Sequence, residues 1–243
     1  MILLSFDTSA GTASTALLED ERVIGQSALT DGNRHSEVLL PMAERLLEAG
    51  GLTADDVDLF CCTTGPGSFT GVRIGVATVK GLAFGRNVPC IGVSALEALA
   101  VAAAGTAGLI CPVLDARRNQ VYHALFESDG TGIRRLGEDA VGDLDELCGT
   151  LFKIGKPVCF CGDAARAAQD RFQGTGTVLF PETADTCAAG AARAALRLYR
   201  EGVRTRDTDL RPVYLRVPQA ERERLERLNA AAREALDRKT TQS

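Results

Sequence analysis

The chain has 243 residues, enough for one large domain or two smaller ones with hydrophobic cores. Hydrophobic residues make up 45% of it and charged residues 24%, as is typical of globular proteins. The net charge of −5 argues against a free-standing nucleic-acid-binding protein, which would carry a basic surface. The opening residues predict a strand rather than a signal peptide, and no apolar run is long enough for a bilayer. We therefore expect a cytoplasmic protein without a membrane partner.

Cysteine and histidine usage limits metal and redox chemistry. The 8 cysteines lie mostly in apolar runs such as LFCCTT, and no C-x-x-C spacing occurs. The two histidines, His35 and His123, are far apart in the chain. These spacings predict buried, reduced cysteines and no structural zinc site.

The first half of the chain predicts a meander followed by strand–helix alternation. Short strands over residues 2–7, 13–18 and 22–30 are joined by brief turns, which favours antiparallel pairing. An amphipathic helix over about 36–49 follows, with Ser36 as its predicted N-cap and Pro41 near its start. Strands over 58–64 and 90–94 then flank a helix over about 70–85, so the sheet becomes parallel.

The second half repeats this order. Strands are predicted over 109–116 and 121–128, then at VCFCG and TVLFP, and a helix is predicted over 185–202. Two related halves are therefore expected, over residues 1–101 and 106–216. The last residues, 217–243, predict a charged terminal helix with a solvated surface.

The loop TTGPGSFTGVRIG, residues 63–75, first suggests a phosphate cradle. It is not a Walker loop, because Val72 stands where the lysine is needed, and no carboxylate ends the next strand to hold a ribose. The following helix instead carries a row of small or apolar residues at Gly71, Gly75, Thr78 and Leu82. Two helical glycines cost about 1 kcal/mol each relative to alanine, which predicts close approach to a neighbour. A second row, Val72, Val76, Val79 and Ala83, can face the core, so the helix is either central or part of an interface.

Four motifs resemble a known family. GPGSFTGVRIG, RHSEVLLP (34–41), LDARRNQVY (114–122) and RPVYLR (211–216) closely resemble the bacterial TsaB family, also called YeaZ. The resemblance implies an α/β fold of two ASKHA (actin/Hsp70-like, RNase H-like) lobes, each a mixed sheet with flanking helices. The first lobe, 1–101, would carry the partner-docking helices, and the second, smaller lobe would span 106–216. The resemblance does not cover the segment after about residue 217.

The resemblance also implies partners. Proteins of this family serve the machinery that makes N6-threonylcarbamoyladenosine in tRNA, and they pair with the catalytic paralogue TsaD and the ATPase TsaE. They can also form a homodimer through the same helical face, and they meet tRNA only through the complex. The corresponding helices here are about 36–49 and 70–85, with an expected interface of His35, Leu39, Met42, Leu46, Gly71, Arg73, Gly75, Thr78 and Leu82.

The catalytic relative carries two metal-binding histidines four residues apart, on the helix that follows strand 90–94. The corresponding positions here are Ala95 and Leu99, with Glu97 between them. Neither can bind a metal, so the resemblance implies a non-catalytic scaffold that stabilises the competent state of TsaD. No metal and no cofactor are expected in the isolated chain, and ATP or ADP only at the assembled complex.

Two polar strand ends leave alternatives open. Asp7, Thr8 and Ser9 lie where sugar kinases and actin bind phosphate, and they can instead form a hydrogen-bonded turn. Asp115, Arg117 and Arg118 can meet a phosphate, a partner carboxylate or only water. An independent ATP-dependent enzyme of the sugar-kinase type is the main alternative function, and a metalloprotease is a weaker one.

Overall fold

The first sheet has five strands in the order β3-β2-β1-β4-β5. The computed structural model describes residues 1–30, 34–178 and 187–216. The central strands β1 and β4 are almost wholly buried because helices cover both faces of the sheet. The elements of this part are β1 (Ile2–Asp7), β2 (Ala13–Glu19), β3 (Arg22–Leu29), α1 (His35–Ala49), β4 (Leu59–Gly65), α2 (Phe69–Ala83), β5 (Cys90–Ser94) and α3 (Ala95–Ala102).

The second sheet repeats that order as β10-β7-β6-β11-β12. Its first strand, β6, pairs antiparallel with β7 and parallel with β11, as β1 does with β2 and β4. The two-lobe α/β prediction is therefore confirmed. The elements are β6 (Gly108–Asp115), β7 (Gln120–His123), β8 (Phe126–Ser128), β9 (Ile133–Arg135), β10 (Ala140–Asp143), α4 (Leu144–Ile154), β11 (Val158–Cys161), α5 (Ala165–Arg171), β12 (Gly176–Val178) and α6 (Cys187–Arg200).

The predicted strand over 121–128 is two strands in the structure. β7 pairs with residues 113–115 of β6, whereas β8 pairs with residues 108–110. Pro112 lies between these two stretches and has no N–H to donate to a ladder, which accounts for the interruption.

Helix α6 crosses between the halves. It lies in the second predicted lobe by sequence, but it packs against α3 and the first sheet. The Ala188 amide donates to the Ser14 hydroxyl at 3.2 Å, and a Cβ on Gly190 would collide with the Ala98 carbonyl. The assignment of all of 106–216 to the second lobe therefore needs correction for these residues.

Two predictions concern residues outside the ranges that the structure describes. The charged segment 217–243 lies outside them, as do the first residues of the helix predicted from 185. No helix in the described part of the chain combines the length and apolar character needed to cross a bilayer.

Candidate docking face and interlobe cleft

A cleft of about 560 Å³ opens where the glycine loop faces the second lobe. The first lobe contributes Ser9, Gly67 and Thr70, and the second lobe contributes Asp115 and Arg117. This is the edge at which the parallel strands of both sheets end, the usual position of a ligand site in α/β proteins.

The Asp7, Thr8 and Ser9 turn is internally satisfied. The Asp7 carboxylate accepts hydrogen bonds from the Ser9 amide at 3.1 Å, the Ser9 hydroxyl at 2.7 Å and the Thr63 hydroxyl at 2.5 Å. The Thr8 hydroxyl donates to the Gly71 carbonyl at 2.7 Å, and all three turn residues are buried. These contacts favour the structural alternative, a hydrogen-bonded strand end. Nucleotide binding at these residues stays a prediction.

The glycines of α2 pack inside the chain. A Cβ on Gly71 would collide with the Thr8 carbonyl, and one on Gly75 would lie 2.9 Å from the Thr8 hydroxyl oxygen. Both glycines are buried, so close backbone approach is correct, but its partner is Thr8, directly after β1. The interpretation of Gly71 and Gly75 as part of an exposed docking stripe is wrong. A bulky residue at Gly75 would disturb the fold and cannot probe an interface.

Other predicted interface residues differ in exposure. On α1, His35, Leu39 and Met42 are buried, and the His35 ring lies 3.2 Å from the Gly11 carbonyl oxygen. Their side chains are therefore not available to a partner in this structure. Leu46, Thr78 and Leu82 are half-buried, whereas Arg73 is exposed. Whether these residues touch a partner stays a prediction.

A different row of α2 faces outward. We call it the α2 face, and its exposed members are Thr70, Arg73, Ala77, Gly81 and Phe84, which caps the helix. Phe84 is 81% exposed, and a Cβ on Gly81 would meet open space. With a turn of about 100° per residue, this row lies roughly 130° around the helix from the buried valines. The glycine row lies roughly 100° in the other direction. Sequence reasoning missed this exposed row, and the signal that could have found it is its position on the side of the helix facing away from Val72 and Val76.

The loop after β6 has an unusual backbone. Arg117, Arg118 and Asn119 have φ values of 66°, 56° and 60°, a left-handed run that non-glycine residues adopt at a cost. The Asn119 side chain anchors it, donating to Asp143 at 2.9 Å. Asp115 accepts from the Arg117 amide at 2.7 Å. The loop therefore holds its two arginines at the surface, and their role stays a prediction.

The positions that the resemblance assigns to the histidines of the catalytic relative are part of the core. Ala95 and Leu99 are 0% and 4% exposed. Glu97 forms ion pairs with Arg135, at 3.2 Å, and with Arg197, which link α3 to the second lobe and to α6. In the described ranges, no three His, Cys, Asp or Glu side chains are grouped so that they could hold a metal ion.

The cysteines match their predicted state. All eight are buried and none forms a disulfide. Burial raises the pKa of the Cys61 thiol to about 12 and that of Cys90 to about 11. Because the thiolate is the reactive and metal-binding form, these thiols are chemically inert at neutral pH.

Comparison with known proteins places the chain in a family. A family profile described as "TsaD: tRNA N6-adenosine threonylcarbamoyltransferase" matches residues 30–224. The chain is 35% identical to the Bacillus subtilis tRNA threonylcarbamoyladenosine biosynthesis protein TsaB, over 67% of this chain and 71% of that protein. It is 37% identical to the Escherichia coli TsaB over 55% of this chain and 58% of that protein.

Solved structures agree with the sequence relatives. YeaZ from Pseudomonas aeruginosa superposes with a TM-score of 0.74 and 27% identity, over 88% of this chain and all of that one (100%). Component A of the (R)-2-hydroxyglutaryl-CoA dehydratase of Acidaminococcus fermentans has a TM-score of 0.51 at 12% identity, covering 82% of this chain and 99% of that one. The latter likeness concerns the fold alone, and it agrees with the predicted ASKHA architecture. The chain belongs to the TsaB (YeaZ) family, within the broader group that the TsaD profile describes.

Proposed function

We propose that this chain acts in the formation of N6-threonylcarbamoyladenosine in tRNA as a non-catalytic scaffold. It would bind a TsaD-type catalytic paralogue, with a TsaE-type ATPase joining the complex. The observation that carries the proposal is the α2 face, where the large apolar ring of Phe84 is 81% exposed on the same helix side as the small residues Ala77 and Gly81. Small residues permit close helix packing, and an exposed aromatic ring supplies buried area on docking.

The mechanism is differential binding. A scaffold that binds the competent conformation of its partner more tightly than the other conformations increases the population of the competent one. It does so without performing chemistry. The buried Ala95 and Leu99 support this role, since neither can bind a metal at the positions that the resemblance assigns to the metal-binding histidines. A homodimer through the same face would compete with the partner. ATP or ADP would bind only in the assembled complex, tRNA would be met there too, and the site of action would be the cytoplasm.

Reconstitution tests the proposal directly. The purified chain alone should produce no modified tRNA, and the cognate TsaD, TsaE and threonylcarbamoyl-adenylate-forming enzyme should require it for activity. Full activity of those partners without the chain would contradict the scaffold role. Tight binding of ATP and Mg²⁺ by the isolated chain in calorimetry would support the sugar-kinase alternative instead.

A substitution pair tests the docking face. Ala77→Arg adds a long charged side chain to the middle of the α2 face without touching the core, because Ala77 is exposed. We expect the affinity for the TsaD-type partner to fall at least about 30-fold, or about 2 kcal/mol. Thr150→Arg introduces the same charged side chain at an exposed position of α4, in the other lobe. It should leave the affinity for the partner unchanged. Equal binding by both variants in titration calorimetry would exclude the α2 face.

A further inference from the structure

A C-terminal segment crosses the cleft between the lobes. We call residues 211–216 the strap. The Val213 amide donates to the Thr64 carbonyl at 2.7 Å, and a Cβ on Gly65 would lie 2.5 Å from the Val213 carbonyl oxygen. At the other end, Arg216 donates to the Ala116 carbonyl of the second lobe. The strap is therefore fixed to both lobes, and it runs beside the start of α2.

Tyr214 of the strap holds one residue of the α2 face. The Arg73 Nε–H donates to the Tyr214 hydroxyl at 2.7 Å. The Arg73 guanidinium carbon lies 3.7 Å from the centroid of the Phe69 ring, and the Phe69 and Tyr214 rings are 4.9 Å apart. One hydrogen bond and one aromatic face thus orient the guanidinium, while the side chain remains exposed.

The terminal nitrogens of Arg73 have no carboxylate partner among the residues that the structure describes. With Nε bound to Tyr214, the two terminal nitrogens keep the planar donor geometry that matches a carboxylate. On an apolar, small-residue helix face, a cation that has no ion-pair partner among the described residues is complementary to an acidic side chain of a docking partner.

We propose that Arg73 receives a carboxylate of the docking partner and that Tyr214 is the positioning residue that prepares it. The inference rests on the proposed function, because it concerns the same face. Its physical basis is preorganisation: a side chain already held in its bound orientation loses less conformational entropy on association. The strap makes this geometry part of the folded chain, so the α2 face is ready for an acidic partner before contact.

A double-mutant cycle in the full chain tests the positioning role. Tyr214→Phe keeps the ring but removes the hydroxyl that accepts from Arg73, and Arg73→Gln removes the cation. We expect Tyr214→Phe to weaken binding to the TsaD-type partner about fivefold and Arg73→Gln about 20-fold. The double variant should be no weaker than Arg73→Gln, because the hydroxyl acts only through the cation. Binding should also lose part of its salt dependence in Arg73→Gln.

Controls separate this inference from the proposed function. Tyr199→Phe removes the hydroxyl of a tyrosine whose ring contacts Arg204, away from the strap, and should bind normally. Normal binding by Tyr214→Phe, or independent effects that multiply in the double variant, would overturn the positioning role. If Ala77→Arg still weakened binding as predicted in that case, the docking face would stand and only the inference would fail. If Ala77→Arg bound normally as well, the docking face itself would be wrong.

Discussion

The two lobes share one strand order, yet the aspartates that end their first strands have opposite environments. Each forms the same turn, in which the carboxylate accepts the amide two residues later: Ser9 for Asp7 and Arg117 for Asp115. Asp7 is 3% exposed and also accepts from Thr63. The Asp115 side chain is 47% exposed. Shared topology sets the turn, whereas the side chains packed around it decide whether the carboxylate is buried or exposed.

The helices that follow β4 and β11, the strands parallel to the first strand of each lobe, also differ. In both lobes a glycine lets the chain pass close to the first strand or the residue directly after it, Gly162 against Val113 and Gly71 against Thr8. In the first lobe the helix continues for 15 residues and leaves an exposed row. In the second lobe α5 ends after 7 residues. A helix of only two turns offers little surface for a partner, which favours the first lobe for docking.

The largest effect is expected where α2 packs against Thr8, directly after β1. Gly71→Ala should lower the free energy of unfolding by about 3 kcal/mol, because its Cβ would collide with the Thr8 backbone, which cannot move aside cheaply. Gly81→Ala on the same helix has open space and should stabilise the protein by up to about 1 kcal/mol. Urea denaturation of both variants measures this difference. Equal stability would show that the helix does not need the glycine.

The next effect concerns the equivalent aspartates that end the first strand of each lobe. Asp7→Ala should lower the free energy of unfolding by about 2 kcal/mol, because the Thr63 and Ser9 donors lose their buried acceptor. Asp115→Ala should cost less than about 1 kcal/mol, since water can replace its exposed carboxylate. The same denaturation measurement applies. A larger loss for Asp115→Ala would contradict the contrast between the lobes.

The smallest effect concerns pH. His123 in β7 occupies the register position that Ala16 holds in β2 of the first lobe. Burial lowers the pKa of His123 below its usual value of about 6.5, although Asp139 partly opposes this. Below about pH 6.5, His123 therefore binds a proton more readily in the unfolded chain than in the folded one. The free energy of unfolding should fall as the pH drops through this range. His123→Gln should flatten this decline in unfolding measured between pH 7 and 5. An unchanged slope would exclude His123 as its cause.

Much of the fold follows from local pattern. The alternation of strands and helices predicts the two halves, and the valine row at Val72 and Val76 correctly marks the core side of α2. The sequence pattern did not identify the exposed side of α2. A glycine in a sequence does not show which neighbouring group packs into the space that a side chain would occupy. Similarly, Arg73 stands out as polar in the sequence, but its bond to Tyr214 joins residues 141 positions apart, which no local pattern can indicate.

By itself, the sequence determined the order of the elements, the repeated halves and the family, because these depend on short-range periodicity and contiguous motifs. It also places the non-ligating residues Ala95 and Leu99 where the family resemblance implies the metal-binding histidines of the catalytic relative. Only the tertiary structure decided which side of α2 is exposed, because the backbone of Thr8 lies against Gly71. It also decided that α6 returns to the first sheet and that the strap fixes Arg73, since both depend on contacts between distant parts of the chain.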